Sequence, residues 1–124
     1  MDEKDVENIM QHPLTMIASD GRLVVPGEGH PHPRWYGTFP RVLGHFVREK
    51  GTLSLEEAIY KMSLLPAETI GIKNRGLIKK GMFADITIFD KNTIIDKATF
   101  EDPHQYSEGI YYCLLYTSPS QRDS

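Results

Sequence analysis

Cysteine is almost missing from this chain: Cys113 is the only one in 124 residues. That excludes an intrachain disulfide framework and a zinc cluster built from cysteines. Long apolar runs are missing as well. Nowhere do about eighteen apolar residues follow one another, as a membrane span requires. The opening MDEKDVENIM has neither the charged n-region nor the apolar h-region of a signal peptide, so a soluble, cytoplasmic protein with no membrane partner is the expectation. Charge of one sign is scarce too: 17 acidic against 14 basic residues leave a net −3, with no basic patch and no acidic tail. Nucleic acid is therefore not expected as a partner. Internal repeats and low-complexity tracts are absent. What is present, 40% hydrophobic and 10% aromatic residues, suffices for the core of one small domain.

The most informative stretch is LTMIASDGRLVVPGEGHPHPR, Leu14 to Arg34. Its first five residues, Leu14 to Ala18, form a short apolar run with a β-branched Thr15, which predicts a strand buried on both faces. Ser19-Asp20-Gly21 stops it. A carboxylate at the carboxyl end of a buried strand, followed by a long polar loop, occupies the place where α/β folds put their chemistry. Asp20 is therefore the anchor of the functional reading, and Arg34 its companion at the far end of the loop.

The rest of the chain alternates helical and extended patterns. Asp2 to Gln11 reads as a helix, with acidic residues early, Val6, Ile9 and Met10 on one face, and Pro13 ending it. Only His12 and Pro13 separate it from the Leu14 strand, so the chain opens like the closing part of a repeating β/α architecture, and Met1 reads as an internal methionine of a longer gene. A second helix is expected with Thr38 as its cap and Pro40 in its first turn. Val42, Leu43, Phe46 and Val47 form its face, and Arg48 and Lys50 precede Gly51. Ser54-Leu55-Glu56-Glu57 is a capping box opening a third helix with Ala58, Ile59 and Met62 inward. Ser63 to Pro66 is expected to break it, with one further turn at Ala67 to Ile70. From Arg75 glycines punctuate an extended region, Ala84 to Asp90 reads as a strand, and Ile110 to Tyr112 as a short one.

The succession MIASDG, HPR, YGTFPRVLGHFVRE, LEEAIYKM, LPAETIGI, RGLIKKGMFADITIFD and TFEDPHQ resembles the C-terminal part of the D-aminoacylases, the N-acyl-D-amino-acid deacylases of the metal-dependent amidohydrolase superfamily. The resemblance runs from Asp2 to Tyr112 in one register. It implies an α/β fold in which residues 1–74 are the last portion of a TIM-like (β/α)8 barrel, with Leu14 to Ala18 as its last strand, and residues 75–112 are part of a small β domain. Such a barrel needs about 250 residues, so this chain holds only a part of it.

Hydrolysis of an amide needs a hydroxide nucleophile at neutral pH, a Lewis acid on the carbonyl oxygen, and a group that moves the water proton to the leaving nitrogen. Asp20 matches the family's last-strand aspartate, which has that shuttle role at the metal. Asp-Gly is also a common turn pair, so Asp20 alone would read as a turn residue; the surrounding motif favours the catalytic role. Arg34 matches the arginine that binds the substrate α-carboxylate in the family, where a planar guanidinium gives two parallel hydrogen bonds and helps select handedness. His30 and His32 have the spacing of a metal pair. The family's metal-binding H-x-H lies on its first strand, outside this chain, so both read as loop residues, with His32 orienting the substrate-binding side. His45 and His104 read as structural or surface.

The resemblance thus implies zinc as cofactor, most of its ligands outside this chain, and a small N-acyl-D-amino acid as substrate. The isolated polypeptide is expected to be inactive. A related cyclic-amidase or dihydroorotase-like amidohydrolase, and a non-catalytic α/β module, are the alternatives. Residues 113–124, CLLYTSPSQRDS, leave the resemblance abruptly. CLLYTS is what TGT CTC TTA TAC ACA TCT encodes, the transposase end sequence used in preparing sequencing libraries, so this tail is expected to be a cloning or assembly artefact.

Overall fold

The computed structural model describes residues 1–116. Four α-helices, a π-helical segment and a two-stranded sheet follow one another in chain order. No helix among the described residues is long and apolar enough to cross a membrane.

Helix α1 (Glu3–Gln11) has acidic Glu3 and Asp5 in its first turn, favourable at the positive end of its dipole, and buries Met10. The following Leu14 to Ala18 differs from expectation. It is extended but pairs with no strand among the described residues, and it is covered on one side only. Ile17 packs against the core, while Leu14 is 76% exposed and Met16 39%. A strand buried on both faces needs neighbours at both edges and cover on both faces, and the described residues supply neither in full. What holds the segment is Lys61, only 5% exposed, whose ammonium donates to the carbonyls of His12 at 2.5 Å and Thr15 at 3.2 Å. The Ile17 N–H donates in turn to the Lys61 carbonyl at 3.0 Å.

Helix α2 (Arg34–Arg41) starts a turn before the expected cap. Thr38 lies inside it and donates its hydroxyl to the Arg34 carbonyl at 2.8 Å rather than capping. Pro40 has no N–H for the Tyr36 carbonyl, and its ring crowds that turn, which is where the helix kinks at Gly37 (φ −136°, ψ 15°). The orphaned Tyr36 carbonyl is taken by the Ser107 hydroxyl at 3.2 Å. The chain continues as a π-helical segment over Val42–Glu49, extended by a bond from the Lys50 N–H to the His45 carbonyl at 2.9 Å. A Cβ on Gly44 would stand 2.5 Å from the Ile94 carbonyl oxygen, so only glycine admits this close approach of helix to chain. Arg48 secures the same contact, donating to the Ile94 carbonyl at 2.6 Å.

Helix α3 (Leu55–Met62) opens with the expected capping box: Ser54 Oγ accepts from the Glu57 N–H at 3.1 Å, and Glu57 Oε2 accepts from the Ser54 N–H at 3.2 Å. Ala58 is fully buried, and Met62 packs on the core. Ile59 does not face inward as expected but is 37% exposed, because Ala58, Lys61 and Met62 hold the inner face at i, i+3 and i+4. The expected break over Ser63 to Pro66 is a kink at Ser63 alone, after which α4 (Leu64–Ile70) begins at once. Pro66 sits in its first turn, where a missing N–H leaves no bond unmade. Gly71 ends it in the left-handed conformation at φ +80°.

Strands β1 (Ile86–Phe89) and β2 (Ile110–Leu114) pair antiparallel, Ile88 opposite Tyr112 and Thr87 opposite Cys113, with an irregularity between Ile88 and Phe89. Strand β2 therefore runs past Tyr112 into the stretch read as foreign; residues 117–124 of that stretch lie outside the described residues. The core gathers Met10, Val42, Leu43, Phe46, Leu53, Ala58 and Ile94 between α1, the π-helical segment, α3 and the chain after β1.

Candidate functional site

Asp20 ends the extended segment, and Arg34 is the first residue of α2, thirteen positions of loop lying between them. The fold closes that loop. Trp35 lays its indole over Gly21, where a Cβ would be 3.2 Å from the ring, and this brings the start of α2 against the residue after Asp20. The Trp35 Nε1 is buried without a hydrogen-bond partner among the described residues. Arg34 Nη2 and Asp20 Oδ2 are 2.9 Å apart, the two side chains 48% and 74% exposed. An ion pair this open contributes on the order of 0–1 kcal/mol to stability, so it is not what holds the fold. Its chemical consequence is larger: both groups remain reachable by a ligand.

His32 stands beside the pair. Its Nδ1 accepts the Arg34 backbone N–H at 3.0 Å, satisfying one of the free donors at the start of α2, and its ring meets Phe100 edge-on at 5.0 Å between centroids. His30 places Nε2 2.6 Å from the Phe100 carbonyl. The two histidines thus face the late loop rather than a common point. Among the described residues no group of three or more His, Cys, Asp or Glu is arranged to hold a metal ion.

Beside Arg34 opens a cleft of about 480 Å³, bordered by His32, Thr38, Arg41, Thr99 and Phe100, with Phe46 of the core in its wall. Charge is also concentrated in a cluster that joins α1 to the π-helical segment and reaches the cleft through Arg41, 3.9 Å from Glu3. Glu3 accepts from His45 Nε2 at 2.6 Å and from Lys50 Nζ at 3.1 Å. Those two hydrogen bonds hold its carboxyl below the ordinary value of 4.5, and the bonds to Glu7 and Glu3 hold the Lys50 ammonium above its own. This cluster fastens elements together.

His104, read from the sequence as structural or surface, has partners that the sequence did not disclose. It lies in the TFEDPHQ stretch, and in the structure it touches the loop from below: Nδ1 is 2.9 Å from the Tyr36 hydroxyl and 3.3 Å from the Gly27 nitrogen, and Nε2 is 3.0 Å from the Gly29 carbonyl. Its partners are 68 to 77 residues away in sequence, so no local pattern announces them.

The class is shown by the sequence: the profile of the amidohydrolase family matches residues 4–117. The chain belongs to that family. D-aminoacylase of Alcaligenes xylosoxydans xylosoxydans is 45% identical over 96% of this chain and 24% of its own length. N-acyl-D-aspartate deacylase of the same organism is 49% identical over 90% of this chain and 22% of its own length. Among solved structures, N-acyl-D-glutamate deacylase of Bordetella bronchiseptica, complexed with zinc and a phosphonate mimic of the tetrahedral intermediate, superposes with a TM-score of 0.85. It is 43% identical, over 93% of this chain and 24% of that one. The chain thus spans about a quarter of the length of these relatives.

Proposed function

We propose that this chain is the C-terminal portion of a zinc-dependent hydrolase that removes the acyl group from N-acyl-D-amino acids. In this reading Leu14 to Ala18 is the last strand of a (β/α)8 barrel, whose earlier strands cover the faces left open here. Residues 75–112 are part of a small β domain; the family profile runs on to residue 117, five residues into the stretch expected to be foreign. Zinc, held mainly by residues outside this chain, supplies Lewis-acid chemistry at the amide carbonyl.

Asp20 contributes one oxygen at the metal side and carries the proton. A carboxylate takes it from the attacking water, holds it transiently, and gives it to the leaving nitrogen. Arg34 binds the α-carboxylate of the substrate through two parallel N–H donors, which fixes the α-carbon and helps select the D-hand. Its present partner, Asp20, is itself a carboxylate, met through one nitrogen, Nη2, at 2.9 Å. His32 holds the Arg34 backbone and thereby the direction from which the guanidinium reaches out.

The observation that carries this reading is the open Asp20–Arg34 pair, 2.9 Å apart beside the cleft, in a chain 45% and 49% identical to deacylases of N-acyl-D-amino acids. The test is turnover. With zinc, the complete polypeptide is expected to release D-amino acid from N-acyl-D-amino acids and to leave the L-enantiomers intact, while the 124-residue chain alone is inactive. Hydrolysis by the isolated chain, or equal rates on both enantiomers by the complete one, contradicts the proposal.

A further inference from the structure

We propose that His104 is a positioning residue: its imidazole fastens the loop that carries Arg34, so that the guanidinium is presented to the substrate carboxylate at a fixed reach. The loop between Asp20 and α2 has little to hold it. It buries few side chains, and its one backbone hydrogen bond between residues 21 and 31 runs from the Glu28 N–H to the Val25 carbonyl at 3.0 Å. Besides the Trp35 indole over Gly21 and the His32–Arg34 bond at its ends, its ties come from the segment after β1.

His104 makes two of them, to Gly27 and Gly29, and a third bond to Tyr36 of α2. The Gly29 carbonyl, 3.0 Å from Nε2, can only accept, and the Gly27 N–H, 3.3 Å from Nδ1, can only donate. These two partners fix the tautomer with hydrogen on Nε2 and leave the Nδ1 lone pair for Gly27 and for the Tyr36 hydroxyl at 2.9 Å. Both glycines sit at positive φ, +88° and +69°, which turns the loop backbone toward the ring. The base is stiff. The Thr99 hydroxyl accepts the Asp102 N–H at 2.9 Å, the Thr99 N–H donates to the Asp102 carbonyl at 3.0 Å, and Pro103 is buried.

One imidazole therefore grips the loop on both sides of Arg34, at Gly27 and Gly29 before it and at Tyr36 two residues after it. His30 and His32 lean on Phe100 of the same segment. The kinetic consequence rests on the deacylase reading; the grip on the loop does not. A residue that only positions the carboxylate anchor affects binding more than the chemical step.

The experiment uses the complete polypeptide with zinc and an N-acyl-D-amino acid. His104→Ala is expected to raise KM about tenfold or more with kcat changed by less than about threefold. His104→Gln, which can keep a donor for the Gly29 carbonyl, should recover part of the loss, and Tyr36→Phe should show a smaller loss. Hydrogen exchange gives the second readout: in His104→Ala, amides of residues 22–30 should exchange faster while those of α3 keep their protection. Unchanged loop exchange overturns the proposal, as does a loosened loop with unaltered KM, or a fall in kcat at constant KM. If the wild-type polypeptide does not deacylate, it is the deacylase reading that fails, and loop exchange alone decides on His104.

Discussion

Two apolar stretches of similar make-up, Leu14 to Ala18 and Val42 to Val47, meet different fates. Val42, Leu43 and Phe46 are 4–6% exposed, closed in by α1, α3 and Ile94, whereas Leu14 is 76% exposed and only Ile17 of its neighbours reaches the core. Hydrophobicity is the same in both; the supply of partners differs. A helix buries one stripe against whatever lies beside it, but a central strand needs two paired edges and two covered faces. The chain buries its apolar side chains where its helices pack and leaves them open along the extended segment that ends in Asp20. The open half is where the proposed chemistry sits.

Substitutions in the two halves should behave differently. The largest effect is expected in the packed half: Phe46→Ala should cost about 3–5 kcal/mol, read as a lower urea midpoint, because the cavity has no loose neighbour to fill it. A loss below about 1 kcal/mol would mean that this core is as loosely packed as the Leu14 segment. In the open half, Arg34→Lys should leave stability nearly unchanged and raise KM for an N-acyl-D-amino acid roughly 10- to 100-fold in the complete polypeptide, since a point charge replaces a two-pronged donor. A KM within about twofold of wild type would remove Arg34 from substrate binding.

Smaller changes sharpen the contrast. Ser54→Ala removes the capping box of α3 and should lower stability by about 1 kcal/mol, measured by thermal unfolding, with no effect on turnover. The least effect is expected from Glu3→Gln. The Glu3 carboxyl is held below its ordinary value of 4.5 by His45 and Lys50, so the stabilisation it brings is present above that value and is lost as pH falls through the lowered one. Wild type should melt slightly above Glu3→Gln at pH near 7 and level with it well below the carboxylate range. A difference that persists in acid would show that the tether is not electrostatic.

What the sequence could disclose follows the same division. The Ser54–Glu57 capping box and the glycine closing α4 are written within a few consecutive residues and form as expected, and the strand expected over Ala84 to Asp90 forms in its middle, at Ile86–Phe89. The early start of α2 was not legible. It depends on His32 accepting the Arg34 N–H and on Ser107 taking the carbonyl that Pro40 leaves free. The buried Lys61 and the grip of His104 were hidden for the same reason, since their partners lie 46 to 77 residues away. Asp20 and Arg34 could be singled out because motif and chemistry coincide at each. Their direct contact could not, because it depends on how the loop between them closes.

The central claim is that Asp20 carries the proton for amide hydrolysis at a site completed by the rest of the polypeptide. Its most direct test is the rate of Asp20→Asn in the complete zinc-loaded protein on a saturating N-acyl-D-amino acid. A drop in kcat of about 10²-fold or more is expected, the range general acid–base groups contribute. A variant that turns over at the wild-type rate would contradict it.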